Sequence, residues 1–251
     1  VLDPGEVAAT GGTSGVVYGV TDVPRPDRFS RVNTFLHVNH EPRRPRYGVL
    51  LCINGTGILN AWVTKTTVPD MSYPEVNRRC AEIPVGSEGV LMLPFGNGAE
   101  RMLGNRYTGA EAIGLDLNRH DRFHLLRAAQ EGIAFAFRYG MDVMREAGLR
   151  LRVIRAGYAN LFLSPVFRQT LATLCGADIE LYNTDGALGA ARGAALGAGL
   201  YASREETFAS LRKIDEVRPD PADRDVLERG YARWKAELEN RLGRASHGTS
   251  V

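Results

Sequence analysis

The sequence predicts an α/β fold in which a mixed sheet is covered by helices on both faces. Short β-type runs crowd its first fifty residues, and strands alternate with helices from about residue 90 onward. A long amphipathic pattern over 122–147 supplies the apolar face that a sheet needs as a partner.

Taken in order, residues 7–10, 15–20, 33–38 and 47–52 read as strands between Gly, Pro and Asp punctuation. Pro24 and Pro26, then Pro42 and Pro45, mark loops. From Gly55 the pattern turns helical, with Ile58, Leu59, Trp62 and Val63 expected on one buried face. A second helix is expected over 73–80, after Pro69 and Asp70. Val90-Leu91-Met92-Leu93 is a buried strand running into the polar, glycine-rich loop 94–101. Asp121 is a suitable N-cap for the helix over 122–147, where Leu125, Leu126, Ala129, Ile133, Phe137 and Met141 form the apolar stripe, and Gly148 ends it.

Strand 151–154 follows, then the turn Ala156-Gly157-Tyr158-Ala159-Asn160 and a helix over 165–174, capped by Ser164 with Pro165 in first position. After strand 179–182 comes a small-residue helix over 187–201. Arg192 in its middle argues against a membrane helix and for a closely packed core helix. Ser203-Arg204-Glu205-Glu206 opens another helix as a capping box. The last helix spans about 222–242, and 245–251 is a polar tail expected to be disordered.

Composition narrows the function classes. The 31 basic and 29 acidic residues nearly cancel to +2, so nothing points to a nucleic-acid or membrane partner. The arginines at 43, 44 and 46 and at 78 and 79 read as solvated loops. Cys52 and Cys175 lie in apolar runs and, with Cys80, make an odd and scattered set. They read as reduced thiols, the first two in the core. No stretch reads as a signal peptide or a membrane span, so a cytoplasmic location is expected. The chain lacks an initiator Met and opens on the turn-like Asp3-Pro4-Gly5, which reads as part of something larger.

The most informative motif is Gly11-Gly12-Thr13-Ser14-Gly15, set between the first two strands. Glycines let successive amide N–H groups converge on one anion, and Thr13 and Ser14 add hydroxyl donors, which suits a polyphosphate. A plain hairpin turn has the same composition. No Lys follows as in a P-loop, and no helix-opening Gly-x-Gly-x-x-Gly is present. Other candidates read as structural. His37 and His40, three apart in a strand, point to opposite faces and make a poor metal pair. His120 and His124 flank a helix start, and Asp185 suits a helix cap. Glu100 and Arg101 either form an ion pair bracing their loop, the preferred reading, or line a cleft.

Several separated segments together resemble the C-terminal half of the FGGY carbohydrate kinases, most closely the xylulokinase branch. They are the glycine turn, Gly55-Thr56-Gly57-Ile58-Leu59-Asn60-Ala61-Trp62, the loop from Leu93-Pro94-Phe95 to Glu100-Arg101, the helix Leu125 to Phe135, the turn Gly157 to Asn160, and Asp185-Gly186-Ala187-Leu188-Gly189-Ala190-Ala191-Arg192. The resemblance covers nearly the whole chain. It implies an actin-like ATPase, ribonuclease-H-like domain over 1–244 that forms the ATP-binding lobe. ATP would bind between this lobe and an N-terminal sugar-binding lobe.

In that setting Gly12, Thr13 and Ser14 would cradle the β- and γ-phosphates, Gly57 would pack near the nucleotide, and Ala156, Gly157 and Asn160 would match the adenosine-side loop. Where relatives carry two or three consecutive glycines this chain has Ala156-Gly157-Tyr158, and Ala61 replaces a Gln found in some relatives, so one polar contact to the base is missing. The resemblance also implies ATP and Mg²⁺ as cofactors, a small sugar as substrate, no protein-held metal site, and room for a homodimer. The general-base Asp is expected upstream of Val1; Asp3, in a turn, is a poor substitute. D-xylulose is the expected sugar, with ribulose, glycerol or gluconate as alternatives and a non-catalytic nucleotide-binding module as a rival of another class.

Overall fold

The computed structural model describes residues 1–247, and the remainder of the expected tail, 248–251, lies outside them. The expected opening strands are present as β1 (Glu6–Gly11), β2 (Gly15–Thr21), β3 (Asn33–Leu36) and β4 (Tyr47–Ile53). Helices α1 (Gly57–Thr67) and α2 (Tyr73–Glu82) follow, then β5 (Leu91–Phe95), β6 (Gly109–Ile113) and the long α3 (Arg122–Glu146). The second half alternates β7 (Val153–Gly157), α4 (Pro165–Cys175), β8 (Asp178–Tyr182), α5 (Gly186–Gly197), α6 (Arg204–Phe208), β9 (Lys213–Val217) and α7 (Arg224–His247). The last helix therefore continues past residue 245, through His247.

Seven strands form one sheet in the order β3-β4-β2-β1-β7-β8-β9, and β5 and β6 form a separate hairpin. β1, β7 and β8 run parallel at its centre, and the remaining pairs of the large sheet are antiparallel. The register aligns Val7, Ile154, Ile179 and Val217 in one buried row. Helix α3 packs over this side with α1 and α4, and its stripe Leu126, Ala129, Ile133, Phe137 and Met141 is buried as its spacing predicts. The adjacent row, Ala8, Arg155 and Glu180, belongs to the opposite face, because successive strand residues alternate. There α5 and α6 stand over the sheet across a cavity.

Four expectations are corrected. Helix α1 buries Leu59, Asn60, Val63 and Thr64, while Ile58 and Trp62 are exposed. Helix α5 is no packed core helix: Arg192 is its one buried residue, and Ala187, Leu188, Ala190 and Ala191 are exposed. Cys52 is exposed, whereas Cys80 and Cys175 are buried. Arg78 and Arg79 lie on α2, where Arg78 pairs with Glu75 and Glu82 along the helix. Strands β6 and β9 were not expected at all; one is small and glycine-led, the other charged and at a sheet edge.

Candidate functional site

The pairing of β1 with β2 runs from Val7 opposite Gly19 to Gly11 opposite Gly15, leaving Gly12, Thr13 and Ser14 as a three-residue tip. Among the described residues, none of the three tip N–H groups makes a hydrogen bond within the protein. Thr13 is exposed. Three successive uncommitted amides with two hydroxyls leave five donors at one turn, a set suited to an anion.

The tip is fixed from behind. Gly57 N–H donates to the Gly12 carbonyl (3.0 Å) and Ile58 N–H to that of Thr13 (3.1 Å), while the Thr56 hydroxyl reaches both oxygens. The first amides of α1 thus clamp the turn. This also explains the glycine at 57: a Cβ there would lie 2.2 Å from the Gly12 oxygen. Buried Glu100 holds the chain entering α1, accepting from the N–H groups of Asn54 (3.1 Å) and Gly55 (2.9 Å). Burial pushes its carboxyl above the ordinary range. Glu100 therefore braces its loop as expected, but not as an ion pair with Arg101, whose Nε donates to the Ser30 carbonyl.

Ala156 and Gly157, two of the residues expected on the adenosine side, end β7, which runs parallel to β1 with Ala9 opposite Ala156. A Cβ on Gly157 would sit 2.0 Å from the Thr184 oxygen, so this glycine serves the packing of β7 against the turn before α5. Asn160 adopts φ +54, a left-handed conformation that Asn tolerates, and opens the 3-10 turn leading to the Ser164 cap of α4.

All seven sequence-derived residues gather at the hairpin tip, around two cavities that share Gly11, Gly12 and Asn160. Gly12, Thr13, Gly57 and Asn160 border a cavity of about 820 Å³ reaching to α2. Gly12, Ser14, Ala156, Gly157 and Asn160 border one of about 590 Å³ beneath α5. In the first, sequence reasoning missed Asn60 and Asn77. Asn60 is 8% exposed with its Oδ1 unpartnered among the described residues. Asn77 ends a buried relay in which the Ser164 hydroxyl donates to Gln130 Oε1 (2.6 Å) and Gln130 Nε2 donates to Asn77 Oδ1 (3.1 Å). A polar Gln inside an otherwise apolar helical stripe was the available signal.

The remaining candidates are structural. Asp3 is ion-paired at the surface to Arg44 and Arg46; the Arg46 hydrogen bond first, then Arg44, holds its carboxyl below the ordinary range. His124 completes a reciprocal cap with Asp121 at the start of α3, and Asp185 caps α5 by accepting from Leu188 N–H. His37 Nδ1 accepts from Asn39 N–H in the turn after β3, and the His40 ring meets the Arg46 backbone. Among the described residues no group of three or more His, Cys, Asp or Glu forms a metal site, and no helix is long and apolar enough to cross a membrane.

Known proteins resemble this chain in sequence and in fold. The model of the FGGY family of carbohydrate kinases, C-terminal domain, matches residues 7–202. The xylulose kinase of Haemophilus influenzae is 28% identical over 237 residues, covering 90% of this chain and 45% of that protein. The xylulose kinase of Bacillus subtilis is 30% identical over 210 residues, covering 82% and 40%. The crystal structure of xylulose kinase from Rhodospirillum rubrum superposes with a TM-score of 0.82 at 26% identity, over 98% of this chain and 49% of its own. The chain spans about half the length of these relatives, and its fold is that of the actin-like ATPases. On these grounds the chain belongs to the FGGY family of carbohydrate kinases, and its match is to that family's C-terminal domain.

Proposed function

We propose that this chain is the nucleotide-binding lobe of a kinase that transfers the γ-phosphoryl group of ATP to a hydroxyl of a pentulose, D-xylulose first among candidates. The observation that carries the reading is the hairpin tip, whose Gly12, Thr13 and Ser14 amides are uncommitted and open onto two cavities. The cradle fits a polyphosphate: its donors are free, its carbonyls are turned back onto α1, and a Cβ on Gly12 would come no closer than 3.7 Å to its nearest neighbour. The xylulose kinases among the relatives support the choice of sugar.

When bound, Mg·ATP supplies the transferable phosphoryl group and the metal that offsets phosphate charge. The rest of the work in this lobe is positional. The tip amides and the Thr13 and Ser14 hydroxyls hold phosphate oxygens in one orientation, and the α1 clamp keeps those donors from reorganising as charge develops. Asn160 and Gly157 shape the wall for the nucleoside. The sugar site falls to the remainder of the longer protein, and closure of the two halves excludes water from the transfer.

Calorimetric titration with Mg·ATP tests this reading. The chain binds the nucleotide, and Thr13→Val weakens binding roughly tenfold, about the worth of a hydrogen bond to a charged group, without lowering the unfolding midpoint. Unchanged affinity in Thr13→Val would leave the turn with a purely structural role. The chain alone is expected to phosphorylate no sugar, and turnover in a coupled assay would overturn the division of labour.

A further inference from the structure

Helix α5 is inside out. Its small apolar residues Ala187, Leu188, Ala190 and Ala191 are exposed, while Arg192, its one charged residue, is 9% exposed and lines the cavity of about 590 Å³ beside the hairpin tip. Its guanidinium donates to the Thr184 hydroxyl (3.0 Å) and the Ser210 hydroxyl (3.2 Å). Both partners are neutral. Among the described residues Arg192 has no carboxylate partner.

A buried cation without a counter-charge is costly, and proteins retain one where something else supplies the anion. Other charges at this cavity do not fill that need. Arg155 adds a second cation, already paired with Glu6 (2.8 Å) and Glu180 (2.8 Å), and the Asp185 carboxylate at the cavity's edge accepts from Leu188 N–H in the cap of α5 and makes no ion pair with Arg192. Two hydroxyls hold the guanidinium in place without neutralising it. A planar fork of donors in that state matches an oxyanion, phosphate above all.

We propose that Arg192 is the cationic floor of a phosphate-oxyanion site on the α5 side of the hairpin tip. The same cavity is walled by Gly11, Gly12 and Ser14, so an anion held there lies against the tip amides. The choice of phosphate rests on the nucleotide reading above; the uncompensated charge does not. Two sources carry this chemistry, the terminal phosphate of a bound nucleotide and free inorganic phosphate.

Calorimetric titrations of the chain with Mg·ATP, Mg·ADP and inorganic phosphate, on wild type, Arg192→Gln and Arg192→Lys, separate them. Arg192→Gln can keep donating to a hydroxyl while losing the charge, so its unliganded unfolding midpoint should not fall. The expected result is at least a roughly tenfold loss of ATP affinity in Arg192→Gln, a smaller loss for ADP, and partial recovery in Arg192→Lys. If instead inorganic phosphate binds in an Arg192-dependent manner while no nucleotide binds, the oxyanion site stands with free phosphate as its ligand, and the nucleotide reading fails. Should Arg192→Gln leave every affinity unchanged, the site is refuted whether or not ATP binds. Absence of all three ligands from the wild type refutes it together with the nucleotide reading.

Discussion

At the scale of single residues, the glycines of the site divide by what they touch. Gly12 stands in the open tip, whereas Gly57 is a glycine because its Cα lies against the Gly12 carbonyl. Gly57→Ala must therefore displace the backbone that shapes the cradle, at a cost of about 1–3 kcal/mol typical of overpacking. Expected together are a lower unfolding midpoint and a weaker Mg·ATP titration; an affinity change without any stability change would show that the clamp is not what Gly57 serves. Gly12, Thr13 and Ser14 were legible from residue type, glycine and small hydroxyls at a turn, whereas Gly57, Ala156, Gly157 and Asn160 were reached only through the family resemblance. Asn60, Asn77 and Arg192 were not legible in the sequence, because what marks them is tertiary: an unpartnered buried oxygen on Asn60, the Gln130 amide that Asn77 accepts from, and an Arg192 guanidinium held by two neutral hydroxyls.

Glu100 gives a second test at this scale. Its folded-state pKa is raised above the unfolded value near 4.5 by burial, the N–H groups of Asn54 and Gly55 opposing that shift. The folded chain therefore holds this proton more tightly than the unfolded chain does. Its contribution to stability is greatest at low pH and is lost as pH climbs from that unfolded value through the raised one. Urea unfolding of wild type and Glu100→Gln over roughly pH 4–8 should show the wild-type advantage shrinking with rising pH. A difference that stays flat across the range would mean that the carboxyl titrates normally.

Elements were legible where a repeat matched a period. Helix α3 was readable end to end because its apolar stripe, its Asp121 cap and the glycine after it agree. Asp121 accepts from Phe123 and His124 N–H while His124 Nδ1 accepts from the Asp121 N–H. Asp121→Ala should cost about 1 kcal/mol and lower the unfolding midpoint by about 2–4 °C, measured calorimetrically. No shift would mean that the burial of α3 alone sets its start. Helix α1 buries Leu59 and Val63 as expected, but its rotation is set by the clamp on the turn, which carries Asn60 and Thr64 inward in place of Ile58 and Trp62. Helix α5 misled for a related reason: an Ala-rich composition suits a packed interior, but here it faces outward and the arginine faces in. β9, Lys213–Val217, was invisible because a charged edge strand carries little apolar alternation.

On the scale of the whole molecule, one continuous core joins the sheet, the α3 layer and the C-terminal helix, so the hairpin tip is held by a single cooperative body. Trp234 of α7 is the pin that brings the end of the chain into that core. It is fully buried, lies within ring-contact distance of Phe95, Phe135 and Tyr231, and donates its indole N–H to the Met92 carbonyl of β5 at 2.8 Å. Trp234→Phe keeps most of the apolar contact but leaves a buried carbonyl without its donor, at a cost of about 2 kcal/mol. For a chain of this length that corresponds to a fall in midpoint of about 4–8 °C. If α7 belongs to the common body, calorimetry of Trp234→Phe shows one transition, displaced downward, and nucleotide affinity measured well below the midpoint is unchanged. Two resolved transitions would instead make the C-terminal helix a separate folding unit, and the hairpin tip would then owe its rigidity to the sheet and α3 alone.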